Sequence, residues 1–340
     1  MIPEYLRLRS RTVKAMRAFF DDQGFLEIHT PRLVGLPGQE PYLDPFWTEV
    51  IEASGARHKA ALITSPEYVM KRLLAQGFEK IYDLGPCFRN GEPWDGSHDP
   101  EFLLLEWYRR EAELVDILDD TEAMIRSVAQ AVGHGSDQRW QRALRAPFRR
   151  LSMREAWRLY LGIELDPLVG ERAGMANVAL EHGQTVDPQD SWDDLFFKVF
   201  LSRIEPHLGW NASHEAWQPT FLTEYPISMA ALARKHAQNP RYADRAELYI
   251  GDLELANGFA ELCDAREQRE RFLEERLLRQ SLGKEVWPVD ERFLEALPAM
   301  GNAAGIAFGV ERLVMLLAGA KALGEVLPAS AHERFIHGHG

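Results

Sequence analysis

The chain has 340 residues, 46% of them hydrophobic, with 39 Lys and Arg against 52 Asp and Glu and a formal charge of −13. That length provides one large domain or two small ones with an ample core. The charge argues against a general nucleic-acid binder, because affinity for the phosphate backbone comes from Lys and Arg. Only two cysteines occur, Cys87 and Cys263, so a disulfide framework is not expected and a reducing cytoplasm is the default. The start, MIPEYLRLRSRTVKAMR, has no apolar signal core, and LVMLLAGA is too short to span a bilayer. A soluble cytoplasmic protein is predicted.

In chain order, residues 4–23 read as a helix, with Leu6, Val13, Met16, Phe19 and Phe20 on one face and Gly24 as its stop. FLEIHTP follows as a strand, and residues 32–60 read as irregular. SPEYVMKRLLAQG reads as a helix with Ser65 as N-cap and Pro66 in its first turn. Residues 80–109 form two strands around a loop. Residues 110–220 are mostly helical, with breaks at Gly133–Gly135 and Pro167, and 221–320 return to strands before a final helix. Strands at both ends with helices between them predict an α+β fold on an antiparallel sheet, a single domain over 1–340 with a helical insertion at about 110–220. Neither a Walker A pattern nor a dinucleotide fingerprint occurs.

Three stretches carry chemistry. In EFLLLEWYR, side-chain alternation puts Phe102, Leu104, Glu106 and Tyr108 on one face. Either the strand is half exposed with Glu106 in water, or this face is a pocket floor: a ring for stacking, acceptors for a cation, and Arg89 at the other stem to grip a phosphate or carboxylate. AELYIGDLELANGFAEL reads as a hairpin turning at Gly251–Asp252, which sets Tyr249 opposite Glu254 and Glu247 opposite Ala256. Glu247 and Glu254 are then diagonal neighbours, either solvated or bridged by a hard cation such as Mg²⁺. Asn257 and Glu261 follow closely. In GIAFGVERL, Arg312 lies in the first turn of a helix, where a cation is misplaced unless an anion joins it; Gly309 permits close approach to the backbone.

These residues carry a resemblance. FRN…HDPEF, ELANGFAEL and GIAFGVERL resemble motif 2, the metal-binding segment and motif 3 of class II aminoacyl-tRNA synthetases, and are most similar to the lysyl-tRNA synthetase branch. VKAMRAFFDDQGFLEIHTPRL resembles its motif 1, the dimer-forming helix and strand, and TSPEYVMKRLL its amino-acid-binding helix. The resemblance runs from about residue 8 to 328. It implies an ATP-binding set of Arg89, Asn90, Gly91, Glu92, His98, Asp99, Phe102, Glu254, Leu255, Gly309 and Arg312, with Arg89 and Arg312 catalytic, Phe102 under the adenine, and Mg²⁺ on Glu247 and Glu254. It implies a substrate set of Ser65, Pro66, Glu67, Glu106, Tyr108, Asn257, Glu261 and Ala307, suited to a dibasic amino acid.

No anticodon-reading domain is expected, since the motif 1 helix begins within the first dozen residues. With the −13 charge, this argues against tRNA as acceptor. The chain resembles the lysyl-tRNA synthetase paralogues that attach (R)-β-lysine to a lysine of elongation factor P, acting as a homodimer. Ala307 stands where lysyl-tRNA synthetases have glycine. The alternatives are a minimal lysyl-RNA or small-amine amide ligase and a non-catalytic regulatory paralogue. The pattern also departs from the family: Gly91 follows FRN where glutamate is usual, with Glu92 next; Asp99 stands for an asparagine; Glu311 stands for an aspartate. No residue stands out as general base for transfer. The run Arg139, Arg142, Arg145, Arg149, Arg150, Arg154 and Arg158 is either a face for an acidic acceptor or a solvated surface with local ion pairs.

Overall fold

The computed structural model describes residues 4–133 and 138–335; the predicted break at Gly135 lies outside them. Contacts divide the chain into two compact units, residues 1–137 with 261–340, and residues 138–260.

The first unit opens with α1 (Glu4–Asp22), whose apolar stripe buries Met16, Phe19 and Phe20. The strand predicted next is only β1 (Leu26–Glu27), because Thr30 N–H turns away to Asp83 Oδ2 at 2.8 Å. The stretch 32–60, read as irregular, contains β2 (Leu33–Val34), β3 (Trp47–Ile51) and β4 (Arg57–Leu62), joined antiparallel in the order β2-β4-β3. These strands are largely exposed, and Glu49, Arg57 and Lys59 break their apolar alternation, so periodicity concealed them. Then comes α2 (Glu67–Ala75): Pro66 already has helical angles (φ −78°, ψ −1°), and Ser65 Oγ accepts from Glu67 N–H at 3.0 Å. The strands β5 (Lys80–Phe88) and β6 (Glu101–Arg110) pair antiparallel, with Cys87 opposite Phe102 and Asp83 opposite Glu106. Helix α3 (Leu114–Val132) ends at Gly133 in the left-handed region, φ +85°.

The second unit carries α4 (Gln138–Ala143), β7 (Arg149–Ser152), α5 (Met153–Leu161), α6 (Arg172–Glu181) and α7 (Trp192–Arg203). It continues through β8 (Thr220–Pro226), β9 (Tyr242–Ile250) and β10 (Leu253–Ala260), in the order β10-β9-β8-β7. Its core gathers Trp157, Phe196, Phe200, Leu222 and Tyr242. The arginine run does not form one helical face, since β7 interrupts it. Arg154 pairs with Glu224 at 2.6 Å and Arg158 with Glu164 at 2.5 Å, Arg149 donates to Tyr160 Oη at 3.3 Å, and Arg139 lies over the Trp217 ring at 4.7 Å. For these residues the local-pairing reading holds.

The chain then rejoins the first unit with two helices where strands had been read, α8 (Ala265–Ser281) and α9 (Glu291–Met300), followed by β11 (Ala303–Gly309), α10 (Val310–Ala318) and α11 (Ala331–Phe335). The sheet order in this unit is β1-β5-β6-β11. One face of β5–β6 lies under α1: the Phe20 ring is 4.9 Å from Tyr82 and 5.0 Å from Trp107. The opposite face of β6 holds Phe102, Glu106 and Tyr108. Helix α2 packs on α9, where Tyr68 stacks on Phe293 at 4.1 Å. Among the described residues no helix is long and apolar enough to cross a membrane.

Candidate active site

In the first unit, alternation along β6 brings Glu106 and Tyr108 to one face, and both are buried. Tyr108 Oη donates to Glu106 Oε1 at 2.5 Å, and Ser65 Oγ donates to Glu106 Oε2 at 2.8 Å. Glu106 is therefore not in water, and the solvated reading of this strand fails. Gly305 makes this possible: a Cβ there would come 2.2 Å from the Tyr108 ring carbons, so the ring lies directly over β11. Burial, reinforced by the Glu67 charge, pushes the Glu106 carboxyl up to about 8.

Glu261, 2% exposed, completes the acidic floor. Between it and Glu67 lies a residue that sequence reasoning missed. Lys71, 2% exposed, pairs with Glu67 one helical turn away and reaches Glu261 Oε2 at 2.5 Å. Burial alone would lower its pKa, but the carboxylates of Glu261 and Glu67 outweigh burial and raise it. The Glu67–Lys71 spacing of four was the available signal, hidden by reading the helix for its apolar face. Lys71 reaches only Oε2 of Glu261, and the buried Oε1 has no hydrogen-bond partner. Burial pushes this carboxyl up to about 8, against the pull of Lys71. Three carboxylates thus surround one internal cation, which leaves room for two positive charges from a ligand.

At the head of the same face the Arg89 guanidinium lies 5.0 Å over the Phe102 ring, and its Nε is buried without a partner. Arg312, in the first turn of α10, approaches His98 Nε2 at 3.4 Å, and His98 is 3.9 Å from Glu92. Gly309 is the N-cap of α10. Gly91 has φ +75°, a conformation that explains glycine where the family pattern has glutamate. Asn90 ties the loop down through its N–H to Asp44 O at 2.7 Å. Ala307 is half-buried against the cluster of Ile63, Cys87 and Leu104, on which Phe102 also packs, and lies opposite Glu106 in the β6–β11 register.

Asp99, expected from the motif to contact the nucleotide, is held by protein groups. It is 4% exposed; its Oδ2 accepts from Ala331 N–H at 2.9 Å, and Arg334 pairs with its Oδ1. Arg334 also bonds Glu101 at 3.0 Å, and Trp94 packs edge-on to His332 at 5.3 Å. Asp99 fastens α11 to the motif 2 loop. Glu311, in place of aspartate, binds Arg9 of α1 at 2.9 Å and Leu103 N–H at 3.0 Å.

In the second unit the hairpin turns at Gly251–Asp252 as expected, and Glu254 faces Tyr249. A bulge between Glu254 and Ala256 shifts the register, so Glu247 faces Asn257 and not Ala256. Leu255, in the bulge, buries its side chain. Glu247 is fully engaged: Arg245 reaches Oε1 at 2.5 Å, and Oε2 accepts from Tyr225 and, at 2.5 Å, from Tyr249. Arg245 also donates to Asn257 Oδ1 at 3.1 Å. A guanidinium thus lies on Glu247 where the sequence suggested a cation, and among the described residues no group of three His, Cys, Asp or Glu could hold a metal ion. A Mg²⁺ carried by phosphates needs only one or two carboxylates, and Glu254 fits that requirement.

Comparison with known proteins agrees with this geometry. The chain is 36% identical over 323 residues to the elongation factor P–(R)-β-lysine ligase of Proteus mirabilis, covering 94% of this chain and 92% of that protein. It is 36% identical to the protein of the same name from Photorhabdus laumondii (95% and 93% covered) and 34% identical to that of Salmonella paratyphi B (96% and 94%). Residues 2–330 match the family model described as tRNA synthetases class II (D, K and N), and the chain belongs to that family.

Proposed function

We propose that the protein is an ATP-dependent, AMP-forming ligase that activates (R)-β-lysine as its adenylate and transfers it to a lysine ε-amino group of elongation factor P. The observation that carries this reading is a pair of unmet groups in the first unit. Arg89 Nε is a buried donor without an acceptor, and Glu261 Oε1 is a buried carboxylate oxygen that Lys71, on Oε2, does not reach. Buried polar groups are otherwise paired, so an orphan of each sign calls for a ligand with an anionic and a cationic end. A dibasic amino acid meets both: its carboxylate, and later its acyl phosphate, lies on Arg89, and its ammonium groups lie among Glu67, Glu106, Tyr108 and Glu261.

In the first step the substrate carboxylate attacks the α-phosphate of ATP, and pyrophosphate leaves. Arg89 neutralises charge as it develops on the reacting phosphate, Arg312 holds the far phosphate, and Phe102 offers its ring to the adenine. Mg²⁺, when bound, supplies charge neutralisation for the phosphates. Glu254 would hold it, and Arg245, Tyr225 and Tyr249 fix Glu247 in the same hairpin. Ala307 narrows the wall beside Phe102, and its methyl favours the β- over the α-amino acid. In the second step the acceptor amine attacks the adenylate and AMP leaves. The protein works in the cytoplasm as a homodimer through residues 8–34, where Leu26 and Leu33 are exposed.

The test is two-stage. ATP–pyrophosphate exchange with (R)-β-lysine should exceed that with α-lysine, and elongation factor P incubated with the complete system should gain the mass of one β-lysyl group. Exchange without acceptor modification would favour the small-amine ligase, and no exchange would favour the regulatory paralogue.

A further inference from the structure

The proposed reaction still lacks a base for the transfer step. Residues 37–44 of the first unit lie outside every helix and strand, yet they are held with unusual thoroughness. Arg279, 2% exposed, donates from Nη1 to the carbonyls of Glu40 (3.0 Å), Pro41 (3.2 Å) and Leu43 (2.7 Å), and from Nη2 to Asp44 Oδ1 at 2.5 Å. From the other side Gln39 N–H donates to Tyr68 Oη at 3.1 Å, Gln39 Nε2 to Pro288 O at 2.9 Å, and Trp287 Nε1 to Pro37 O at 3.0 Å. Asp44 is bridged to Asn90, next to Arg89. A loop without a ladder of its own, fixed by buried donors, is a positioned loop.

What this loop positions is the Glu40 carboxylate. It lines a cavity of about 550 Å³ together with Thr64, Ser65, Glu67, Arg72 and Arg292. Thr64 Oγ1 donates to Glu40 Oε2 at 3.3 Å. The charges acting on Glu40 are Arg89, Glu67 and Arg279, and Glu275 and Tyr68 also feel it. Glu40 thus falls within the electrostatic reach of both Arg89, which would hold the acyl group, and Glu67, which would hold an amine. An acyl group held by Arg89, with its amine on Glu67, would present its carbonyl carbon to Glu40.

We infer that this cavity admits the amine-bearing side chain of the acceptor and that Glu40 is the general base of the transfer step. The inference rests on the ligase reading above. The acceptor ammonium gives one proton to the Glu40 carboxylate. The neutral nitrogen attacks the acyl carbon, and the C–N bond forms. The bond from that carbon to the AMP oxygen breaks, with its electron pair leaving on the phosphate. The second N–H proton passes to water in the cavity. Burial raises the pKa of Glu40, with Arg89 opposing, and this strengthens it as a base.

The experiment isolates the enzyme-bound β-lysyl-adenylate and divides it between two nucleophiles, elongation factor P and hydroxylamine. Hydroxylamine is small and already unprotonated at neutral pH, so it needs no base. In Glu40→Gln the ratio of transfer to elongation factor P over transfer to hydroxylamine should fall roughly 100-fold, and Glu40→Asp should recover part of it. Gly38→Leu should obstruct the protein acceptor while hydroxylamine still reacts: a Cβ at Gly38 lies 3.8 Å from Glu40 Oε2 and 4.0 Å from Thr64 Oγ1, so the larger side chain enters the cavity. An unchanged ratio in Glu40→Gln, or equal loss with both nucleophiles, overturns the role of Glu40. Undiminished protein transfer in Gly38→Leu overturns the cavity as the acceptor's path. Failure of the ligase reading is separate and visible earlier, as wild-type protein that forms no adenylate or modifies no elongation factor P.

Discussion

Two clusters of buried carboxylate, one in each compact unit, are alike in composition and opposite in state. Around Glu247 every oxygen is occupied, by Arg245, Tyr225 and Tyr249. Around Glu261 a lysine is present, but it is shared with Glu67, and Glu261 Oε1 lacks a donor. Burial and acidity are common to both, so neither property marks a ligand site. Unmet hydrogen bonding does, because a satisfied cluster gains nothing from a ligand and an unsatisfied one does.

The largest expected effect comes from removing the one cation of the unsatisfied cluster. Lys71→Met leaves Glu67 and Glu261 buried with no counter-charge and should cost about 3–5 kcal/mol of stability. Chemical denaturation should show a smaller loss at pH 6 than at pH 9, since the Glu261 carboxyl takes up a proton below its raised pKa. An equal loss at both would mean that Lys71 acts by packing.

The pH dependence of ligand binding comes next. Glu106 and Glu261 titrate near 8, against 4.5 for an ordinary glutamate. Because the folded values are raised, the ligand-free protein holds more protons than the unfolded chain between about 4.5 and 8, and its stability falls as pH rises through that window. A dibasic ligand expels the proton. Its affinity should therefore tighten by roughly tenfold per pH unit up to about 8 for each proton released, with proton release seen by calorimetry in buffers of different ionisation enthalpy. The cluster around Glu247 should add nothing to that signal.

Smaller effects test the supports of each region. Arg334→Ala loosens the fastening of α11 to the motif 2 loop, worth about 1–2 kcal/mol. It should appear as a KM for ATP raised roughly tenfold at most, with the amino-acid KM unmoved. Tyr225→Phe removes one of the donors to Glu247 and should lower stability by about 1 kcal/mol, read as a thermal shift. A tenfold rise in the amino-acid KM in that variant would break the contrast between the two clusters.

Much of this was legible in the sequence, for identifiable reasons. Alternation along β6 gave the face that carries Phe102, Glu106 and Tyr108, since strand geometry fixes it. The hairpin at Gly251–Asp252 was readable from its turn, but the bulge before Ala256 was not, because an extra residue leaves the apolar pattern almost intact. The strands β3 and β4 were hidden by exposure on a small sheet, and α8 by the long polar run that surrounds its few buried residues. Lys71 was hidden because a lysine on a helix ordinarily points to water. The bonds of Asp99 were not readable because its partners, Ala331 and Arg334, lie more than two hundred residues away.

The central claim is that the site needs a ligand carrying two ammonium groups and one carboxylate. Its most direct test is ATP–pyrophosphate exchange with (R)-β-lysine beside the analogue in which a methyl replaces the terminal ammonium. The account predicts exchange with β-lysine and a loss of at least roughly 100-fold in kcat/KM with the analogue, the cost of leaving a buried carboxylate unpaired. Equal exchange with both compounds would contradict it.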